Sequence, residues 1–430
     1  MTAKSFGEES AKTEKLVVVG QGYVGLPLAM RAVEVGFTVV GFDTDNERIK
    51  RLALDDSYVE DVASHVLARA NASGRYEPTT DPKRCAGFDF AVIDVPTPLD
   101  DGVPNLTYVT KAAEMLSRYV RPGATVIVES TTYPGTTEEL VAPILENGSG
   151  LSAGIDFHLG YSPERIDPGN GRWRLETIPK VVSGIDVESL AAVKGFFDKI
   201  VERTVPVSGT REAELTKLLE NTFRHVNIAL VNELAMFAGD LGIDVWEAIG
   251  AASTKPFGFM TFTPGPGVGG HCLPIDPSYL SWKVRRTLGR SFRFVELAND
   301  VNEHMPDYVV QRLVLALNRM GRPVNGCKVL LLGMAYKKNT GDGREAPGGF
   351  IARRLADLGA SVHVADPHMS DDPGPVVTPV EVTPDEIARM DAVVIVTDHD
   401  CFDYAMIEAN AQFILDTRNR MRPSDKVERL

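Results

Sequence analysis

The sequence predicts an α/β fold in which two doubly wound domains are joined by a long central helix. Three observations in the 430-residue chain predict it. A β-branched run at 16–19 leads into Gly20-x-Gly22-x-x-Gly25, and a second apolar run at 38–42 ends on Asp43. The same strand–glycine–helix–strand–acid layout returns after residue 327, this time ending on Asp366. Between the two halves, residues 211–238 contain neither Gly nor Pro. Alternating strands and helices imply parallel sheets covered by helices on both faces.

Taken in order, residues 1–14 are polar without an apolar segment, and read as a flexible tail and not a signal peptide. A first domain over 15–208 opens with the strand at 16–19. Its glycines allow a tight turn and bring a pyrophosphate to the helix N-terminus, where N–H groups and the macrodipole favour an anion. Pro27 falls in the first helical turn, where a missing N–H costs little. Asp43 would accept hydrogen bonds from the adenosine ribose hydroxyls, and Thr44 supplies no cation for a 2′-phosphate. The expected cofactor is therefore NAD and not NADP. Buried strands at 90–95 and 124–129 end in turns that carry Thr97 and Thr131. Ligands bind at the carboxyl ends of such strands, so both hydroxyls are candidates for cofactor or substrate contact. Equally, they are simple turn and cap hydroxyls.

A central domain over 209–320 begins with the helix at 211–238, about 40 Å long at ~1.5 Å per residue. Leu215, Leu218, Leu219, Val226, Leu230 and Leu234 recur along it with helical period. Lys217, Asn221 and Arg224 share one face, as either a solvated stripe or a functional one. So long a helix suits a connection between domains or a subunit interface. Residues 264–277 then read P-G-P-G-V-G-G-H-C-L-P-I-D-P. A thiol in so glycine-rich a loop suits a covalent nucleophile, because the glycines leave room for a bound substrate. Taken alone, Cys272 could as well be an inert structural cysteine. His271 precedes it directly, but neighbours on an extended loop point apart, so no Cys–His pair is expected.

A third domain over 321–430 carries strands at 328–332, 361–365, 392–397 and 413–416, with a helix at 348–358. Here G-M-A-Y-K-K replaces the glycine pattern, so a ligand other than a second NAD is expected. Lys337, Lys338 and Arg344 suit a diphosphate, or else a plain surface charge cluster.

Composition narrows the classes. Hydrophobic residues make up 43% and charged residues 24%, as in a globular protein, and no run could span a membrane. The formal charge of −14 argues against nucleic acid, and an anionic substrate must be held by local Arg and Lys. Cysteines at 85, 272, 327 and 401 show no paired spacing, so neither a disulfide framework nor a metal site is expected, and a reducing cytoplasm fits.

Several separated motifs carry a further reading. G-Q-G-Y-V-G-L-P at 20–27, S-P-E-R at 162–165 and E-L-T-K-L-L-E-N at 214–221 occur in that order. They are followed by G-V-G-G-H-C-L-P-I-D at 267–276 and A-Y-K-K-N-T-G-D-G-R-E at 335–345. With them, residues 16–419 resemble the UDP-glucose/GDP-mannose dehydrogenase family of nucleotide-sugar 6-dehydrogenases. The resemblance implies NAD-dependent four-electron oxidation of a sugar C6 alcohol to a carboxylate, on a homodimer built around the central helical domain. It implies that Cys272 traps the aldehyde as a thiohemiacetal, oxidised onward to a thioester, while Lys217 and Asn221 bracket the C6 oxyanion. Asp276 and Glu164, assisted by Thr131, would handle water, and the division of base work among Lys217, Asp276 and Glu164 stays open. The resemblance gives Gly20, Gly22, Tyr23, Val24, Gly25, Asp43, Arg48, Thr97, Thr131 and Arg344 to NAD. Arg165, Arg224, Gly269, Tyr336 and Lys337 go to the UDP-sugar, together with Glu164, Lys217 and Asn221.

Two departures point to the substrate. UDP-glucose enzymes of the family typically have Phe where this chain has Arg165, and Ser where it has His271. S-P-E-R-I-D-P-G and G-G-H-C-L-P-I-D-P look more like the UDP-N-acetylhexosamine branch, and UDP-N-acetylglucosamine is the expected substrate. UDP-N-acetylmannosamine and UDP-glucose are the alternatives. Two rival readings are a two-electron hydroxyacid-type dehydrogenase, which needs no loop cysteine, and a non-catalytic NAD-binding oligomer, which needs no chemically competent residues.

Overall fold

The computed structural model describes residues 13–167, 170, 172–270, 272–369 and 374–430. His271 and residues 1–12 of the expected tail lie outside that description. The chain falls into two compact units, divided between Leu218 and Leu219. The division falls within the central helix Thr210–Asp240, whose bounds lie close to those expected.

The first unit is a sheet built from β1 (Lys15–Val19), β2 (Thr38–Phe42), β3 (Tyr76–Thr79) and β4 (Phe90–Ile93). A small hairpin of β5 (Leu99–Asp100) and β6 (Val103–Pro104) follows, then β7 (Thr125–Val128), β8 (His158–Tyr161), β9 (Lys180–Gly184) and β10 (Thr204–Pro206). The spatial order is β10-β9-β8-β7-β4-β1-β2-β3. β1 lies at the centre, with Val17 opposite Val40 of β2 and Ala91 of β4. Its side chains alternate between two cores: Leu16 and Val18 pack with Leu26 and Phe196, while Val17 and Val19 pack with Ala113 and Leu116. A strand covered on both faces must be apolar throughout, which is how K-L-V-V-V reads. β9 alone runs antiparallel to its neighbour β8, with Tyr161 opposite Ser183. Its first residue, Lys180, therefore emerges at the carboxyl edge of the parallel strands, where ligands of such sheets bind.

The second unit repeats the plan. Its strands are β11 (Lys328–Leu332), β12 (Ser361–Ala365), β13 (Thr378–Pro379), β14 (Ala392–Ile395), β15 (Ile414–Asp416) and β16 (Val427–Arg429). They are parallel and ordered β13-β12-β11-β14-β15-β16, the doubly wound arrangement. Val329 and Leu331 face one core, and Leu330 and Leu332 face the other. At the same point in each sheet a glycine turns tightly after the central strand. A Cβ on Gly20 would lie 1.9 Å from the Asp94 carbonyl oxygen, and one on Gly333 would lie 2.3 Å from that of Thr397.

Sequence reading missed β3, β5, β6, β8 to β10, β13 and β16, which are short and variably polar. It also missed the helix Arg293–Arg319, which carries Pro306 in its interior. Among the described residues no helix is long and apolar enough to cross a membrane.

Candidate active site

The cofactor cradle is built at the carboxyl ends of β1 and β2. Gly20 adopts φ +100°, and a Cβ on Gly25 would meet the Gly20 carbonyl oxygen at 2.0 Å, so neither position accepts a side chain. Nothing lies within 4 Å of where a Gly22 Cβ would stand, which leaves the approach to the helix open. No side chain caps the helix Gly25–Glu34. Asp43, 8% exposed, accepts hydrogen bonds from the Gln21 N–H at 2.9 Å and the Asp45 N–H at 3.0 Å. Arg48 stands 3.6 Å from the same carboxylate. Tyr58 and Tyr76 fix Gln21 by donating to its backbone and side-chain oxygens at 2.5 and 2.7 Å. Tyr23 is exposed and Thr97 buried beside this rim. Open space at Gly22, an uncapped helix N-terminus and a fixed acid fit the pyrophosphate and ribose of NAD.

Further along the same sheet edge is a dry charged cluster. Lys180 donates to Glu129 and to Glu164, with all three groups nearly inaccessible. Glu164 also accepts the Arg165 and Ile166 N–H groups on its other oxygen, each at 2.6 Å. Burial works to raise the Glu164 carboxyl, but the Lys180 ammonium, a hydrogen bond from Glu129 and the Lys217 charge outweigh it, and the group stays below the usual carboxylate range. Burial wins at Glu129, which is pushed well up despite Lys180. Asp94, with one oxygen unpartnered, is pushed up to about 8 by burial and by the nearby Glu164 charge. Lys217 reaches in from the central helix, donating to the Glu164 carbonyl oxygen at 2.5 Å. One turn earlier, buried Glu214 accepts from the Gly135 and Thr137 N–H groups at 2.6 and 2.9 Å. It thereby anchors the turn that carries Thr131, and burial lifts its carboxyl to about 7.

In the second unit the cysteine loop is shaped by glycine. Gly267 and Gly270 adopt φ +131° and +84°, and a Cβ on Gly270 would lie 2.8 Å from the Tyr336 ring. A Cβ on Gly269 would come within 2.7 Å of Tyr336 and of the Glu345 carbonyl oxygen. The Gly270 N–H donates to the Arg344 carbonyl oxygen at 3.0 Å, so the loop lies against the Tyr336 segment. Cys272 is exposed. Its carbonyl oxygen accepts the Asp276 N–H at 2.9 Å, and the buried Asp276 carboxylate accepts from Asn221 at 2.5 Å.

A buried polar chain holds both flanks of the loop. The Gly265 N–H donates to Asn232 at 2.9 Å, and Asn232 donates to Asn302 at 2.9 Å. Asn302 donates to the His225 carbonyl oxygen at 3.3 Å, and the His225 ring bonds Asn299 at 2.7 Å. Asn299 then donates to Ser278 at 3.2 Å, two residues beyond Asp276. Burial lowers the His225 pKa and favours the neutral ring, whose Nε2 faces Asn299 Oδ1.

Within the first unit, then, the expected Gly20, Gly22, Gly25, Asp43 and Arg48 gather around one rim, and Glu164 and Lys217 around another. In the second unit Asn221, Asp276, Gly269 and Tyr336 gather about the loop of Cys272. Other expected residues are engaged differently. Arg165 donates to the Pro179 carbonyl oxygen at 2.6 Å, Arg224 is exposed, and the Arg344 guanidinium holds Asp342. Lys338 lies 3.4 Å from Asp400. Sequence reasoning assigned no role to Asp94, Glu129, Lys180, Glu214, His225, Asn232 or Asn302. A signal existed for two of them: Glu129 ends the apolar run T-V-I-V and Lys180 opens V-V-S-G, charges at the ends of buried strands.

Comparison with known proteins fits this construction. Three domain descriptions of the UDP-glucose/GDP-mannose dehydrogenase family match in order: the NAD binding domain at 14–201, the central domain at 211–304 and the UDP binding domain at 330–423. The chain is 41% identical over 364 residues to a UDP-N-acetyl-D-glucosamine 6-dehydrogenase from Pseudomonas aeruginosa, covering 84% of each. It is 33% identical over 415 residues to a UDP-N-acetyl-D-mannosamine dehydrogenase from Pyrococcus horikoshii, covering 94% of this chain and 95% of that one. A solved structure of the UDP-D-ManNAc dehydrogenase from Pyrococcus horikoshii superposes with TM-score 0.89 at 32% identity, over 96% of this chain and 98% of that one. A glycine cradle with its ribose acid, a loop cysteine beside a buried acid–amide pair, and three matching domains lead to one conclusion: the chain belongs to the UDP-glucose/GDP-mannose dehydrogenase family and is an NAD-dependent nucleotide-sugar dehydrogenase.

Proposed function

We propose that the chain oxidises the C6 hydroxymethyl of a UDP-N-acetylhexosamine, UDP-N-acetylglucosamine foremost, to the uronic acid, with Cys272 as covalent nucleophile. The observation that carries the reading is the cysteine loop: an exposed thiol on a glycine-shaped turn, fixed by the Asn221–Asp276 hydrogen bond. NAD supplies a hydride acceptor for each of the two oxidations. Lys217 and Asn221, one helical turn apart, hold the C6 oxygen as its alcohol proton leaves. The Cys272 thiolate adds to the aldehyde carbon, forming a C–S bond and a thiohemiacetal that cannot diffuse away. After the second oxidation a thioester remains. Water gives a proton to Glu164 and adds to the carbonyl, the C–S bond breaks, and the uronate and Cys272 are released. In this reading residues 15–208 serve NAD, 209–320 carry the thiol, and 321–430 hold the UDP group through Tyr336 and Lys337. Four cysteines outside any disulfide suit the cytoplasm.

The N-acetyl preference is supported by relatives that act on UDP-N-acetyl-D-glucosamine and UDP-N-acetyl-D-mannosamine. A site built to hydrogen-bond an acetamide leaves buried donors unpaired when glucose binds. Turnover of a panel of UDP- and GDP-sugars, followed as NADH, tests it. UDP-N-acetylglucosamine is expected to exceed UDP-glucose in kcat/KM by at least about 100-fold. A panel led by UDP-glucose or GDP-mannose would overturn the substrate assignment.

A further inference from the structure

The carboxyl edge of the first sheet gathers Asp94 after β4, Glu129 after β7 and Glu164 after β8, three acids in one largely dry region. The strand β9, antiparallel to its neighbour β8, delivers Lys180 into their midst. Its ammonium bonds Glu129 on one side and Glu164 on the other, and lies 5.2 Å from the Phe197 ring centroid. Lys217 of the central helix completes the charged groups that face Glu164. Two buried cations close to three acids cannot balance them all, so a proton must remain in the cluster.

We propose that Lys180, braced by Glu129, is a positioning residue that keeps the Glu164 carboxylate aimed and ready to take a proton from the hydrolytic water. This rests on the role given to Glu164 above. The cluster resolves its charge unequally. Glu164 is held low by the Lys180 ammonium, a hydrogen bond from Glu129 and the Lys217 charge, whereas Glu129 is pushed up because burial exceeds what Lys180 returns. Pairs of carboxyls pushed apart in this way divide acid and base work between them. Without the ammonium, only the Glu129 hydrogen bond and the Lys217 charge would oppose burial, and the Glu164 pKa would rise. The base would then be protonated over much of the working pH range.

The test uses full-length Lys180→Met, Lys180→Arg and Glu129→Gln variants with NAD and UDP-N-acetylglucosamine. Intact-protein mass spectrometry reads any uronyl thioester left on Cys272, and kcat is followed against pH. Lys180→Met is expected to accumulate the thioester, slow hydrolysis by roughly 100-fold and move the acid limb of kcat to higher pH. Lys180→Arg should recover most of the rate. Glu129→Gln, an amide in place of a neutral acid, should hydrolyse at least about tenfold faster than Lys180→Met. If Lys180→Met does not fold, the Lys180→Gln/Glu129→Gln double variant, which removes Glu129 together with its lysine partner, carries the same test. A Glu164→Gln control separates the two ideas. If it traps thioester while the Lys180 variants show neither adduct nor a shifted limb, the role of Lys180 is wrong. If it traps none, the hydrolytic reading of Glu164 fails and the inference fails with it.

Discussion

Asp43 is the residue to which we assign the choice of cofactor. Its carboxylate is already ordered by the Gln21 and Asp45 N–H groups before any ribose arrives. The ordering entropy is thus spent on folding, and binding gains from it. A 2′-phosphate placed there would face a buried negative charge, with Arg48 shared between Asp43 and Asp45. NAD is therefore expected to exceed NADP in kcat/KM by at least about tenfold, equivalent to ~1.4 kcal/mol. Asp43→Ala should raise the KM for NAD and narrow that ratio. Steady-state kinetics with both cofactors decide it, and equal use by the unaltered enzyme would refute the assignment. This acid was legible in the sequence because it belongs to a contiguous motif with fixed spacing. Lys180 and Glu129 were not, since only strand order and the reversal between β8 and β9 bring them to Glu164.

At the scale of elements, the central helix was legible and its facing was not. The absence of Gly and Pro marked Thr210–Asp240 as one helix. The recurring leucines did not mark its buried side. Lys217, Asn221, His225 and Asn232 point inward, whereas Leu219, Leu230 and Phe237 are 63%, 53% and 57% exposed. Hydrophobic period alone cannot distinguish a core stripe from an interface stripe. We attribute the outward leucines to a subunit interface, and a second copy of this chain is the partner the family resemblance implies. Burying each leucine contributes about 2 kcal/mol. The Leu219→Glu/Leu230→Glu double variant should shift sedimentation from dimer to monomer at micromolar concentration. A monomeric unaltered enzyme would contradict this. The second long helix escaped prediction because Pro306 argues against a helix interior. There Pro306 offers no N–H to the Asn302 carbonyl oxygen, and a Cβ on Gly267 of the cysteine loop would lie 3.4 Å from that oxygen and 3.5 Å from the Pro306 ring. The irregularity that hid the helix gives the loop its seat.

Across the whole chain, two sheets of the same winding carry different chemistry at the same topological position. In the first, the glycine after the central strand opens a dinucleotide cradle. In the second, Gly333 makes the same turn, but Asp366, the counterpart of Asp43, is held by the Met334 and Ala335 N–H groups and by His399 at 3.0 Å. Those hydrogen bonds hold its carboxyl at about 2 against the effect of burial. The repeat was legible from its strand–glycine–strand–acid layout, and the loss of the glycine pattern agrees with the UDP binding domain matched at 330–423. The central claim is that Cys272 makes this family fold a four-electron oxidase. Counting NADH against uronic acid in one reaction tests it most directly. The account predicts two NADH for each uronate, no free aldehyde, and no acid from Cys272→Ala. One NADH per product, or near-normal turnover by Cys272→Ala, would contradict it.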